Sequence, residues 1–301
     1  MILILDIAQE KLNKWLLKSG WSAPVNTDEE IESAQLLNQL TYLSTSIFIF
    51  SFLAFRFILN VFTSILISSQ SLKFRYRLFD YTFNSVDGDK WPIEKIILVF
   101  GAGYVLLTII GVFLAKKTRY MHNVSWKIRL VMAWVAFLLV NSIPAAIIAG
   151  ILSINSFGIL FNWLVPDMLI RVLIGLGAFL TMYLSRNFWI VLFLKASPSS
   201  IFLSEDEPMK MYVQHVFCKS WLYGFLILLL FNWPMFDLFW PVFLLSLAFI
   251  ARPFSKDNIL HEDIYVRKSN KKVFSNQNSV YYLLIILIII RVMGTFISIN
   301  F

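Results

Sequence analysis

The stretch that decides the fold is Ile96–Ala115, which reads IILVFGAGYVLLTIIGVFLA and contains no charged residue. At a rise of about 1.5 Å per residue, a helix of this length crosses a hydrocarbon layer about 30 Å thick. Over the 301-residue chain, 58% of residues are apolar and 15% are charged, whereas soluble domains carry about 25% charged residues. The sequence therefore predicts an integral membrane protein and excludes a disordered chain, a coiled coil and a disulfide-rich scaffold.

Similar uncharged stretches recur along the chain and predict an all-α, polytopic helix bundle in the membrane. Besides the span at 96–115, we expect spans near residues 42–68, within 130–166, at 167–185, within 220–251 and at 278–300. Residues 220–251 are ambiguous, because they fit either one long helix or a hairpin that turns near Asn232-Trp233-Pro234. The single helix gives six spans in the whole chain, and the hairpin gives about seven.

The distribution of basic residues discriminates between these two topologies, because cytoplasmic loops are enriched in Lys and Arg. With seven spans, the cytoplasmic segments 1–40, 116–129, 186–219 and 252–277 hold 18 Lys and Arg, and the outer segment 73–95 holds five. With six spans, the division falls to 12 against 11. We therefore expect seven spans, a cytoplasmic N-terminus and an outer C-terminus.

The first 40 residues precede the predicted transmembrane bundle, which occupies residues 41–301. Within 1–20, apolar residues recur at helical spacing and Gly20 is suited to end the helix. This segment predicts an amphipathic helix that lies on the membrane surface or packs against the protein's own cytoplasmic face. Thr27-Asp28-Glu29-Glu30 forms a capping box and predicts the start of the first long helix.

A short motif, F-N-W-x-x-x-D, occurs twice with a separation of 70 residues. Its copies are Phe161, Asn162, Trp163 and Asp167, and then Phe231, Asn232, Trp233 and Asp237. One interpretation is a pair of related half-units whose polar residues line an outward cavity, as in transporters. The favoured interpretation is structural: Asn ends a helix, Trp lies at the membrane interface and Asp caps the next helix.

Polar residues inside predicted spans are the best candidates for a substrate or cavity site. Arg at the bilayer centre costs about 2.5–3.5 kcal/mol on insertion scales, so Arg56 needs a buried partner, a substrate or an anion. Asn141, close to Pro144, predicts a kink beside an inner cavity. The full set of candidate substrate and cavity residues is Arg56, Asn141, Asp167, Arg171 and Asp237.

Two further patterns concern how the helices join and approach one another. Arg171 follows Asp167 at i, i+4, a spacing that favours an ion pair on a helix surface. Small residues allow membrane helices to approach closely. Positions with this expected role are Gly101, Gly103 and Gly111 in the second span and Gly175 and Gly177 in the fourth.

Motifs that carry catalysis or hold metals are missing from the sequence. It has no HExxH, GxSxG or P-loop pattern, and none of its three His residues falls in a predicted span. His215 and Cys218 stand at i, i+3, but they supply only half of a metal site. We therefore expect no catalytic residue, no metal and no cofactor. The net charge of +8 is explained by basic residues in the predicted cytoplasmic loops, and the sequence has no nucleic-acid recognition motif. We therefore expect no nucleic-acid partner.

The sequence leaves three classes of function open. We favour a non-catalytic integral membrane component, namely a scaffold, an assembly factor or a subunit, whose partners are the lipid bilayer and either other membrane subunits or further copies of the chain. The second class is a carrier or channel for a small or lipidic molecule, based on Arg56 and Asn141. The third is a lipid-acting intramembrane enzyme that uses Asp167 and Asp237. The charge bias and the lack of a transit-peptide pattern favour a bacterial inner membrane.

Overall fold

The computed structural model describes most of the central part of the chain. The described residues are 28–69, 74–77, 80–83, 92–121, 124–153, 155–198, 202, 206–232, 238–251 and 298–300. Contacts divide the chain into two units, Met1–Asn38 and Gln39–Phe301. The predicted amphipathic helix at 1–20 and residues 278–297 of the predicted last span lie outside the described residues.

Helices dominate the described residues, as the apolar composition predicts. They are α1 (Asp28–Ser69), α2 (Ile93–Tyr120), α3 (Trp126–Val140), α4 (Ser142–Leu152), α5 (Phe157–Leu164), α6 (Met168–Lys195), α7 (Asp206–Val213), α8 (Ser220–Asn232) and α9 (Phe239–Ser246). A π-helical stretch, Gln214–Lys219, joins α7 to α8. A 3-10 turn, Leu247–Phe249, extends α9.

Four described helices are long and apolar enough to cross a membrane: Gln35–Ser69, Ile93–Tyr120, Met168–Lys195 and Glu207–Leu230. The pair α3 and α4 makes a fifth candidate span, bent by 47° where the two helices meet. The bend has a local cause, because Pro144 has no N–H with which to continue the helical ladder. The predicted helical membrane class is thus confirmed, with four or five candidate spans in the described part of the chain, while the predicted count of seven is not.

Two helix boundaries follow local sequence signals, and one does not. α1 begins at Asp28, inside the predicted capping box, and α7 begins at Asp206, within the acidic sequence Glu205-Asp206-Glu207. α6 overruns its predicted end near Arg186 and continues to Lys195. The loop predicted at 186–219 is therefore shorter than expected. Side chains in this added part of α6, such as Trp189, are buried in the core, and their packing stabilises the longer helix.

Residues 220–251 form two helices rather than one. α8 ends at Asn232, where the hairpin was expected to turn, and α9 begins at Phe239. The ring N–H of Trp221 donates to the carbonyl of Leu244 at 3.3 Å, so the two helices lie side by side. Phe239–Phe249 is apolar but shorter than the candidate spans. At about 1.5 Å per residue, a helix of this length covers only about half of a 30 Å hydrocarbon layer.

A small antiparallel sheet joins the segment after α1 to the end of the chain. Its strands are β1 (Phe74–Arg77), β2 (Asp80–Phe83) and β3 (Ser298–Asn300), in the order β2-β1-β3. Arg75 pairs with Thr82 on one side and with Asn300 on the other. β3 occupies the last residues of the span predicted at 278–300, which are extended rather than helical. Local patterns could not reveal this strand, because its partner lies more than 200 residues away.

The bundle is held together by a cluster of fully buried aromatic rings. Phe193 of α6 stacks on Phe217 of the π-helical stretch with ring centroids 4.5 Å apart. Trp134 of α3 meets the edge of Phe193 at 4.7 Å, and Phe48 of α1 lies 4.8 Å from Trp134. Lipid tails are as apolar as these rings, so the gain comes mainly from dispersion and ring geometry. This cluster fixes α1, α3, α6 and the π-helical stretch relative to one another.

At Gly111 of α2, the lack of a side chain brings this helix against the backbone of α3. A Cβ added there would lie 2.6 Å from the Cβ of Leu139 and 2.8 Å from the backbone nitrogen of Val140, both on α3. The predicted packing role is therefore confirmed at Gly111. At Gly177 it is wrong, because a Cβ there would meet nothing within 4 Å.

Candidate functional site

A buried polar face runs along α1 through the centre of its apolar stretch. It consists of Arg56, Asn60 and Ser64, which are only 7%, 3% and 9% exposed. Residues at i, i+4 and i+8 of an α-helix share one face and extend over about 12 Å. These three residues therefore form a continuous polar stripe inside the protein, which we call the α1 polar face.

Aromatic side chains of α1 and α9 hold Arg56 in position. Its guanidinium carbon lies 4.8 Å from the centroid of the Trp240 ring, in cation–π geometry. Phe55 stacks on Phe243 at 5.8 Å, and Phe52 meets the Trp240 ring edge-on at 5.9 Å. A desolvated cation–π contact contributes about 2 kcal/mol. The rings therefore offset part of the cost of burying the positive charge, and they form an aromatic wall beside the α1 polar face.

The other two members of the α1 polar face carry unsatisfied hydrogen-bonding atoms. The Asn60 amide nitrogen and the Ser64 hydroxyl are buried and have no hydrogen-bond partner among the described residues. A buried polar atom without a partner costs about 1–3 kcal/mol. Thr45 and Ser51 hydroxyls share this condition, but Asn60 and Ser64 differ in lying one and two turns beyond a buried cation on its own face.

Two other buried serines of α1, Ser44 and Ser46, are satisfied, whereas Ser64 and Ser51 are not. The Ser44 hydroxyl donates to the carbonyl of Val216 at 2.6 Å and accepts from the Trp134 ring N–H at 2.8 Å. Ser46 donates to the carbonyl of Tyr42, one turn back, at 2.9 Å. The same helix thus contains serines whose hydroxyls are bonded within the protein and two, Ser51 and Ser64, whose hydroxyls have no partner among the described groups. Only Ser64 shares a face with Arg56.

Asn141 lies at the helix bend, as predicted, but its side chain serves the helix itself. Its amide nitrogen donates to the carbonyl of Phe137 at 2.8 Å, and the residue is 2% exposed. The expected kink is confirmed by the 47° angle between α3 and α4. The amide group satisfies a backbone carbonyl in the turn before the break, so the structure gives Asn141 a structural role.

Asp167 and Arg171 do not form the ion pair that their spacing favours. One carboxylate oxygen of Asp167 accepts from the backbone N–H of Leu169 at 2.7 Å and of Ile170 at 3.2 Å, which makes Asp167 the N-cap of α6. Arg171 donates instead to the Asn162 side-chain oxygen and to the carbonyl of Pro166. Capping turns the carboxylate toward the helix start, and the guanidinium folds back over the preceding turn.

The first copy of the repeated motif builds a helix junction. The Asn162 amide nitrogen donates to the carbonyls of Gly158 at 2.6 Å and Gly150 at 3.2 Å, which ties α5 to α4. Trp163 is 51% exposed, and Phe161 is buried. In the second copy, α8 ends at Asn232, while the side chains of Phe231 and Asn232 and all of Trp233–Asp237 lie outside the described residues. The contacts of the first copy favour the structural interpretation.

His215, the possible metal ligand, has both ring nitrogens engaged. Its Nδ1 lies 3.1 Å from the Thr41 hydroxyl, and its Nε2 lies 2.8 Å from the Lys219 ammonium. Since an ammonium group can only donate, Nε2 accepts and Nδ1 carries the proton. In the described part of the chain, no three His, Cys, Asp or Glu residues come together as metal ligands. His122 and His261 lie outside it.

Sequence reasoning identified Arg56 and missed its neighbours. Asn60 and Ser64 follow it at successive four-residue steps, so the spacing was readable from the sequence. Their burial was not, because either face of a membrane helix can point toward lipid or protein. No protein-family model, curated protein or solved structure matches this chain.

Proposed function

We propose that this protein is a non-catalytic integral membrane protein that binds a small or lipidic anion within its helix bundle, in the manner of a carrier. The observation that carries the proposal is the α1 polar face. Arg56 offers a fixed positive charge and Asn60 an amide N–H donor, while the Ser64 hydroxyl donates or accepts. Donors beside a cation suit a carboxylate or phosphate group, which accepts charge-assisted hydrogen bonds. The aromatic wall suits an apolar tail.

A topology of seven spans with a cytoplasmic N-terminus is part of this proposal. The pairing of β1 with β3 implies that Arg77 and Ser298 lie on the same side of the membrane, so the chain between them crosses an even number of times. α1 adds one crossing before β1, so the total number of spans is odd. An odd number supports seven spans over six. Basic residues at the end of α2 and the start of α3, such as Lys116 and Lys127, favour the cytoplasm for that end.

A second candidate function, a subunit of a larger membrane assembly, is favoured by the exposure of α6. In the 18-residue apolar stretch of α6, only 17% is buried inside the protein. The corresponding share is 44–50% in the other three candidate spans of the described chain. Its exposed face carries a stripe of leucines at helical spacing: Leu169, Leu173, Leu176, Leu180 and Leu184. This face suits lipid, another membrane subunit or a second copy of the chain. The enzyme alternative gains no support from Asp167, whose carboxylate caps α6.

Native mass spectrometry of the full chain, purified in mild detergent, tests both candidates. We expect the wild-type protein to retain a bound anion that negative-ion analysis identifies after release. Arg56→Ala should lose it, because the positive charge is removed. Arg171→Ala is the matched control, since Arg171 is bound to Asn162 and Pro166 at the end of a span, and it should retain the anion.

Two results would contradict the anion-binding proposal. One is a wild-type spectrum without any bound anion, and the other is equal retention by Arg56→Ala. Stoichiometric membrane proteins in the same spectra would favour the subunit interpretation instead. A homo-oligomer that retains the anion is compatible with both the binding proposal and the exposed face of α6.

A further inference from the structure

A groove separate from the α1 polar face lies between α2 and α6. Its volume is about 330 Å³, and its lining includes Val112, Lys116 and Tyr120 of α2, Val140 of α3, and Ser185 and Trp189 of α6. Along α2, the lining extends over about 12 Å, from Val112 to the last turn of the helix. The groove therefore runs from an apolar floor to a polar mouth at one end of the bundle.

The mouth of the groove is positively charged. Lys116 and Arg119 line it directly, and Lys195 at the end of α6 is close enough to Arg119 for the two charges to repel each other. Two of the described carboxylates lie far from this mouth. Glu94 and Asp167 stand at the opposite ends of α2 and α6, and Glu207 pairs with Lys210 at 3.2 Å. The charged side chains that line the mouth are therefore basic.

The other end of the groove is suited to a hydrocarbon chain. Val112 and Val140 form its floor together with Ala115, and Phe188 and Trp189 contribute aromatic surface. Tyr120, 65% exposed at the mouth, has the amphipathic ring that occurs at the headgroup level of membranes. Cationic pockets between transmembrane helices bind the head groups of anionic lipids. The charge and the apolar floor together match an amphiphile with an anionic head.

We propose that this groove is a binding site for one anionic phospholipid of the adjoining leaflet. Its phosphate lies between Lys116 and Arg119, and one acyl chain follows the floor over Val112 and Val140. A free phosphate would use the mouth alone and leave the apolar floor without an occupant. The site is distinct from the α1 polar face and does not depend on the proposed function.

The experiment is native mass spectrometry of the purified full chain titrated with phosphatidylglycerol or with phosphatidylcholine of the same acyl chains. We expect one phosphatidylglycerol to bind about tenfold more tightly than phosphatidylcholine, because two cations contribute at the mouth. The double variant Lys116→Ala/Arg119→Ala should lose this preference. Lys117→Ala/Lys127→Ala removes the same charge from the same end outside the groove, and it should bind like the wild type.

A second variant keeps the proposal testable if the double variant does not fold. Val112→Trp fills the floor and preserves every charge, so it should weaken phosphatidylglycerol binding. Arg56→Ala should bind phosphatidylglycerol like the wild type, which separates this site from the proposed function. Equal affinity for the two lipids, equal loss in the Lys117→Ala/Lys127→Ala control, unchanged binding by Val112→Trp, or displacement by millimolar inorganic phosphate would each overturn the proposal.

Discussion

Arg56 is a charged side chain in the middle of an apolar helix, and its surroundings must compensate for its burial. Insertion scales give about 2.5–3.5 kcal/mol for this residue at a span centre. The face of Trp240, 4.8 Å away, offsets about 2 kcal/mol of that cost. Asn60 and Ser64 add to the cost, because their buried polar atoms have no partner among the described residues. Such an arrangement suits a site that gains stability when an anion binds.

Substitution of Asn60 separates a binding role from a structural role. Asn60→Leu keeps the branched shape and the number of heavy atoms and removes the buried amide. We therefore expect the free energy of unfolding of the ligand-free protein to be unchanged or higher, by up to about 1–3 kcal/mol. The same variant should lose anion retention. The measurement is thermal unfolding in detergent, with ligand content determined on the same sample.

Serine positions on the same helix supply the control for this prediction. Ser64→Ala should behave like Asn60→Leu, whereas Ser46→Ala removes a hydroxyl that donates to the Tyr42 carbonyl and should leave anion retention intact. A fall of several degrees in the unfolding temperature of Asn60→Leu would mean that the amide has a structural partner. The binding interpretation of this residue would then be wrong.

At the scale of helices, the distance between α2 and α3 is set by one residue without a side chain. Gly111 lies against Leu139 and against the backbone of Val140, and a backbone atom cannot rotate away as a side chain can. Together with the break at Asn141 and the aromatic rings of Trp134 and Phe193, this contact determines how α2, α3 and α6 surround the groove.

Gly111→Ala is therefore expected to destabilise the protein by about 1–3 kcal/mol, because the added methyl group forces α2 and α3 apart. The matched control is Gly177→Ala, where the methyl group meets nothing within 4 Å and removal of a helical glycine stabilises by up to about 1 kcal/mol. Thermal unfolding in detergent measures both. Equal effects of the two substitutions would show that the α2–α3 contact is looser than described.

At the scale of the whole molecule, the sheet constrains topology more strongly than any single helix. β1 and β3 are adjacent strands, so residues near 75 and near 300 must share one side of the membrane. The described helices supply four candidate spans between these strands, if the bent pair counts once. Residues 238–297 must then contribute no crossing or two, and two crossings give the proposed seven spans.

Cysteine labelling in intact cells tests this topology. In a Cys218→Ala background, Thr82→Cys and Asn300→Cys should react with a membrane-impermeant maleimide from the same side. Lys127→Cys should react only after the membrane is opened, because the proposed topology puts the α2–α3 connection in the cytoplasm. Labelling of the two sheet positions from opposite sides would exclude the β1–β3 pairing and every odd number of spans.

Local sequence properties determined much of the architecture of this protein. The length of an uncharged stretch fixes whether a helix can cross a hydrocarbon layer, and Ile96–Ala115 lies inside α2 for that reason. The capping box predicted the start of α1 at Asp28, and the lack of an N–H on Pro144 predicted the bend near Asn141. These features depend on residues within a few positions of one another, so no knowledge of the rest of the fold was needed.

Only the tertiary structure decided which residues meet across the bundle. Arg56 lies over Trp240, Arg75 pairs with Asn300, and Lys116 shares a groove with Ser185. Apart from the α1 polar face, the described spans are largely apolar around their circumference, so their hydrophobic pattern does not indicate which face meets protein and which meets lipid. Those choices follow from shape, close approach and hydrogen bonding between distant segments, and they create both the α1 polar face and the groove.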